Sequence, residues 1–224
     1  MISRTRLCRV VVGLAALTLS AGPVSAGEFA AELQAGYFSM TATKSAEAVF
    51  DSSGGFTWGG AARYSFDLGI YLSGGVRTFS KDGERVFVAG ATDPVSKLGF
   101  PLSVRITPYF LNLGYRFGQG SLIVPYGGVG GSITSFREES SVAGISYDQS
   151  ETKTGFHVVG GVEIGRGRFR FGGEAAWSTV PNAVSVGGVS EIYGEDDLGG
   201  WSIVGKLVIA FGGSKTPDDL GPIP

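Results

Sequence analysis

Side-chain polarity in this chain flips at every second residue, in eight separate stretches. Within 154–164, Phe156, Val158, Val162 and Ile164 fall on one parity, and His157 and Glu163 fall on the other. Within 70–79, Ile70, Leu72 and Val76 alternate with Tyr71, Ser73 and Arg77. A period of two places successive side chains on opposite faces of an extended strand. The chain is therefore constrained to a sheet whose two faces meet chemically different surroundings.

The predicted strands are 28–39, 56–66, 69–79, 102–117, 122–134, 153–165, 168–178 and 200–211. Short links (Asp67-Leu68, 118–121, Arg166-Gly167) alternate with long ones (40–55, 80–101, 135–152, 179–199). Two- to four-residue, glycine-rich links are hairpin turns. An even number of roughly ten-residue alternating strands, with short and long connections in turn, is the pattern of barrels that span the outer membrane of Gram-negative bacteria. The fold class is accordingly all-β, an eight-stranded antiparallel up-and-down barrel with its tight turns in the periplasm.

The first 26 residues read as an export signal. Arg4, Arg6 and Arg9 precede the apolar run Val10–Leu19, and Val24-Ser25-Ala26 is a small-residue cleavage site. That run is too short for a spanning helix, which needs about 20 residues. The expected organisation is a signal peptide at 1–26, a barrel at 27–211 and a short disordered periplasmic tail at 212–224. The only cysteine, Cys8, leaves with the signal, so a disulfide framework is excluded. Without cysteine, and with one histidine, the mature chain offers no ligand set for a thiolate- or histidine-bound metal, and no metal or cofactor is expected. It carries 15 Lys+Arg (18 less the three signal arginines) against 20 Asp+Glu, a net charge of −5. This is not the basic footprint of a nucleic-acid binder.

The makeup of each face says which one meets lipid. The polar face is mostly Gly, Ser, Ala and Thr, with isolated charges at Glu32, Arg63, Arg77, Arg116, Glu163, Arg170, Glu174 and Lys206, and with His157. Sparse charges of both signs among small residues suit a narrow lumen that side chains must fill. The other face carries aromatics at both strand ends. Phe56, Trp58, Trp177 and Trp201 lie toward the external end, and Phe66, Tyr115, Phe117, Phe169, Phe171 and Phe211 toward the periplasmic end. Two aromatic belts flanking an apolar band are what lipid interfaces select. A soluble periplasmic barrel of lipocalin type would reverse these faces, and it stands as the alternative from another class. One strand breaks phase: the apolar positions are even at Leu102, Val104 and Ile106 but odd from Tyr109 to Phe117. Either a β-bulge lies at Pro108, or 102–107 stands above the membrane.

Val124-Pro125-Tyr126-Gly127-Gly128-Val129-Gly130 resembles the fifth-strand signature of small outer-membrane barrels of the outer-membrane-protein-A-like and opacity-protein type. Residues 155–163, followed by Phe169-Arg170-Phe171-Gly172-Gly173-Glu174, are similar to that family's sixth and seventh strands. The resemblance implies a porin-like monomer in outer-membrane lipid, inserted by the barrel-assembly machinery. Members often end on an aromatic which that machinery reads, whereas here 13 residues follow Phe211. No peptidoglycan-binding domain is expected in so short a tail.

A catalytic site needs a nucleophile, a base and an orienting group within reach. Some small barrels are lipid hydrolases, but His157 falls on the polar face, away from lipid, so no enzymatic activity is expected. The reading is a barrel with a structural or surface role: envelope integrity, adhesion or recognition through acidic external loops, its interior closed by paired charges. A narrow channel or carrier for small solutes is the alternative within the membrane class. The loop carboxylates (Glu138, Glu139, Asp148, Glu151; Glu191, Glu195, Asp196, Asp197) match no calcium-loop spacing and are expected to form a solvated rim.

Overall fold

A computed structural model describes residues 27–142, 145–183 and 188–212. The expected signal segment, 1–26, and almost all of the expected tail, 212–224, lie outside the described residues. Eight strands form a closed barrel in sequence order: β1 (Gly27–Met40), β2 (Gly54–Phe66), β3 (Ile70–Phe87), β4 (Ser96–Arg116), β5 (Ile123–Val142), β6 (Ile145–Ile164), β7 (Phe169–Thr179) and β8 (Gly200–Gly212). Every neighbouring pair is antiparallel, and β1 closes the ring on β8 through Leu33 opposite Leu207. Closure removes the sheet edges that lipid would leave unsatisfied. No helix among the described residues is long and apolar enough to cross a membrane.

The three tight turns fall where the short links lie. Gly69 closes the β2–β3 turn at φ 90, donating its N–H to the Phe66 carbonyl at 3.0 Å. Gly167 at φ 71 serves the β6–β7 turn, where a side chain would be strained.

The opposite end departs from the expectation of four long loops. Segments 80–101 and 135–152 are largely strand: β3 and β4 run on to Phe87 and from Ser96, and β5 and β6 to Val142 and from Ile145. β5 has 20 residues, which at 3.3 Å per residue is roughly 65 Å of strand. A membrane-spanning strand needs only about 9–11 residues, so these two hairpins project well beyond the bilayer. The other two long links each carry a short helix, α1 (Thr43–Phe50) and α2 (Val189–Tyr193).

The phase break in β4 has a simple origin, and it is not a bulge at Pro108. Val76 pairs with Tyr109 and Phe79 with Ile106 in one unbroken register, and β4 pairs with β5 continuously from Leu102–Ser140 to Arg116–Tyr126. Between Leu102 and Tyr115 the β3 ladder lapses only opposite Thr107 and Pro108, since proline has no N–H to donate. Even-numbered side chains of β4 face inward along its whole barrel section, from Leu102 to Arg116. What changes is the chemistry of the interior. The register does shift farther out, between Glu84 and Val86 of β3.

That change marks a second core. Met40, Ala46, Phe79, Leu102, Val104, Ile106, Phe136, Val180, Ala183 and Leu198 are buried together inside the external end, with Phe38, Val49 and Phe50 against them. α1 lies directly on β3: a Cβ at Gly83 would fall 2.4 Å from the Val49 carbonyl oxygen and 2.5 Å from the Phe50 ring. The N-cap position of α1 is Ala42, which cannot cap. Glu195 supplies the missing acceptor from 150 residues away, taking the N–H groups of Lys44 at 3.0 Å and Ser45 at 2.8 Å and the Ser45 hydroxyl at 2.6 Å. Asp197 likewise accepts from the Thr179 hydroxyl at 2.6 Å and the N–H groups of Val180 and Gly199 at 2.6 and 2.7 Å. These two carboxylates are structural fasteners, not members of a solvated rim.

Candidate functional site

The inward face of the membrane-spanning section holds the polar side chains the alternation singled out. At the periplasmic end, Arg63, Arg116 and Arg170 surround two carboxylates. Glu163, whose side chain is fully buried, takes a hydrogen bond from Arg116 at 2.7 Å and one from Arg63 at 3.2 Å, besides a closer contact with Arg63 Nη1. Glu28 accepts from Arg116 at 3.0 Å and from Arg170 at 2.8 Å. Arg170 thus turns chiefly to Glu28, with Glu163 at 3.8 Å.

One layer higher, Lys206 lies between Glu32 at 2.9 Å and Glu174 at 3.1 Å. Glu32 also receives Arg63 at 2.7 Å and Gln34 Nε2 at 3.1 Å. Glu174 accepts from the Tyr126 hydroxyl at 3.0 Å and pairs with Arg77. Arg77 donates through Nε to Gln34 Oε1 at 2.7 Å and stacks over the Phe110 ring. The space left among these groups is about 10 Å³. Above them His157 is bonded to the Asn112 side-chain oxygen and sits edge-on to Phe110. A cavity of about 80 Å³ separates this layer from the apolar core.

Sequence reasoning missed Glu28, Gln34 and Tyr126 as members of this network. Parity held the signal, since Glu28 and Gln34 lie on the same face of β1 as Glu32. Glycines in the wall make the room: a Cβ at Gly161 would lie 2.4 Å from the Tyr126 hydroxyl, and one at Gly128 would lie 2.6 Å from that of Tyr71.

The outward face is the converse. All ten belt aromatics (Phe56, Trp58, Phe66, Tyr115, Phe117, Phe169, Phe171, Trp177, Trp201 and Phe211) are exposed on the barrel wall. Between the belts, Leu33, Leu72, Leu111, Leu113, Val129, Val158 and Ile203 are exposed as well. Such a surface is stable only in lipid. Among the described residues no group of three or more His, Cys, Asp or Glu side chains could hold a metal ion.

A closed barrel with an apolar, aromatic-belted exterior and buried ion pairs inside is an outer-membrane β-barrel. The chain belongs to the outer membrane protein β-barrel domain family, whose family model matches residues 12–167, and it resides in the outer membrane of a Gram-negative cell, in contact with lipid. Among solved structures it is similar to a major outer membrane protein of Thermus thermophilus, at 12% identity over 84% of this chain and 100% of that one, with a TM-score of 0.51. Neisserial surface protein A matches at 16% identity over 84% and 98% of the two chains, TM-score 0.45. The N-terminal barrel domain of Pseudomonas aeruginosa OprF matches at 13% identity over 84% and 98%, TM-score 0.44. Among curated proteins none matches this chain.

Proposed function

We propose that this protein is a closed, non-conducting and non-enzymatic barrel that anchors an external cap to the outer membrane, with a structural or surface-recognition role. The observation that carries this reading is the interior network. Each charged side chain named in it has a counter-ion within 4 Å, and an eight-stranded barrel is only wide enough for its side chains to fill it. Catalysis has no supporting constellation: His157 is buried against Asn112, inside the wall and away from lipid. The surface that meets the outside is the cap, where Phe87, Leu98, Ile145 and Tyr147 are exposed on the two projecting hairpins. The protein works as a monomer, is inserted by the barrel-assembly machinery, and matures by loss of residues 1–26.

Planar-bilayer recording tests closure. The purified barrel is expected to show no steady current, and stable porin-sized currents would overturn the reading in favour of a narrow channel. Comparing a deletion strain with one that produces the barrel with both hairpin tips removed separates envelope integrity from a surface interaction.

A further inference from the structure

The external cap leaves a partly open, apolar-lined hollow that its own chain does not fill. A cavity of about 470 Å³ lies between α1, the outer reaches of β3, β4 and β5, and α2. That is within the roughly 300–1,000 Å³ span of small-molecule sites. Its walls are predominantly apolar, including Val49 and Phe50 of α1, Val86 of β3, Leu98 and Leu102 of β4, and Ile192 of α2.

The charged side chains of the wall are one pair, with Ser45, Gln149 and Ser190 as its neutral polar members. Arg85 and Glu138 face each other at 3.9 Å. Arg85 is held in place by donating to the Ser140 hydroxyl at 3.1 and 2.8 Å and by stacking over the Tyr147 ring. A guanidinium beside a carboxylate offers both donors and acceptors with no net charge. An anionic head placed there would meet Glu138, and a cationic head would meet Arg85. A neutral head that both donates and accepts would satisfy the two together.

We propose that this cavity is a binding site for a neutral amphiphile: an apolar body lodged between α1 and β4, with one hydroxyl- or amide-type head against Arg85 and Glu138. The site lies outside the membrane band and is separate from the lumen network, so its occupancy does not depend on whether the barrel conducts. The cap, on this inference, collects apolar molecules at the cell surface.

The test is native mass spectrometry of the intact mature barrel in amphipol, titrated in parallel with 1-dodecanol, dodecanoate and dodecylammonium. One saturable equivalent of 1-dodecanol is expected, bound about tenfold more tightly than either charged analogue. Ala46→Trp and, independently, Val49→Trp should each remove that adduct, while a retained shift in gel migration between boiled and unboiled samples shows the barrel intact. Joint replacement Arg85→Met with Glu138→Met should keep 1-dodecanol binding but lose the discrimination between heads. Absence of a saturable adduct would overturn the proposal. So would tighter binding of either charged analogue, or an adduct that survives both tryptophan variants, which would place the alcohol on the lipid-facing wall.

Discussion

Strand β4 passes through two environments with one geometry. In its inner half the exposed face is Tyr109, Leu111, Leu113 and Tyr115, and the inward face includes Asn112 and Arg116. In its outer half the inward face is Leu102, Val104 and Ile106, and the outward positions are Ser103, Arg105 and Thr107. The same alternation thus builds an inside-out protein in the membrane and an ordinary one above it. The medium decides which face must be apolar: lipid accepts no unpaired polar group on the wall, and water drives the apolar face inward. The membrane half is held by paired charges, whereas the outer half is held by an apolar cluster and two fastening carboxylates.

The largest expected effect lies in the inner half. Glu163 faces Arg63, Arg116 and Arg170 and has no exposed side-chain surface. Glu163→Ala removes one of the carboxylates shared by these three buried guanidinium groups, leaving them only Glu28 and Glu32, a loss of about 3–5 kcal/mol. Urea titration of the barrel folded in lipid vesicles measures it. Adding Arg116→Met should restore part of the loss, because the two side chains belong to one network. Strict additivity of the two changes would mean that the pairing contributes nothing.

A second experiment uses β4 alone. Leu113→Arg puts a charge on the lipid-facing wall and should cost about 2–4 kcal/mol near the midplane. Ser103→Arg, on the same face ten residues outward, should cost less than about 0.5 kcal/mol, the ordinary value for a surface change. Equal costs at the two positions would erase the boundary. Ile106→Ala examines the inward side of the outer half, where truncating a buried aliphatic residue costs about 2–5 kcal/mol.

The boundary itself was only half visible in the sequence. Alternation gave the strands, the closed topology and the parity of the lumen side chains, because a period of two survives in either medium. The inversion at Pro108 registered as a break in phase, for hydropathy alone does not distinguish a strand that shifts from a strand whose surroundings change. The outer strands look like loops in the sequence for a related reason. Arg137, Glu139 and Asp148 make the β5–β6 hairpin polar outside, yet Arg137 is paired with both carboxylates, with Glu139 along β5 at 2.9 Å and with Asp148 across on β6 at 2.5 Å. The role of Glu195 was not legible at all. Its partners sit about 150 positions away, and no local pattern announces a helix cap supplied across the barrel mouth.

That cap gives a smaller, local expectation. Glu195→Ala removes the acceptor for the first turn of α1 and should cost about 0.5–2 kcal/mol, the range for losing a helix cap. The loss should appear as faster amide exchange in α1 with the lumen network unchanged. If exchange in α1 does not move, the helix is held by its packing on Gly83 and not by its cap.

The smallest effect separates the two halves by pH. Glu138 lies in the outer half, and burial holds its carboxyl above the ordinary 4.5, with the Arg85 guanidinium opposing that rise only in part. A carboxyl raised in the folded state favours folding while it is protonated. Its contribution is complete below about 4.5 and is lost as pH climbs through the raised folded value. The outer hairpins should therefore loosen slightly as pH rises out of the mildly acidic range, seen as increased amide exchange at the outer ends of β3 and β5. Glu138→Gln should abolish that dependence while leaving the membrane half untouched. The opposite slope, loosening on acidification, would mean that the Arg85 pairing outweighs burial and that Glu138 is held in its ionised form.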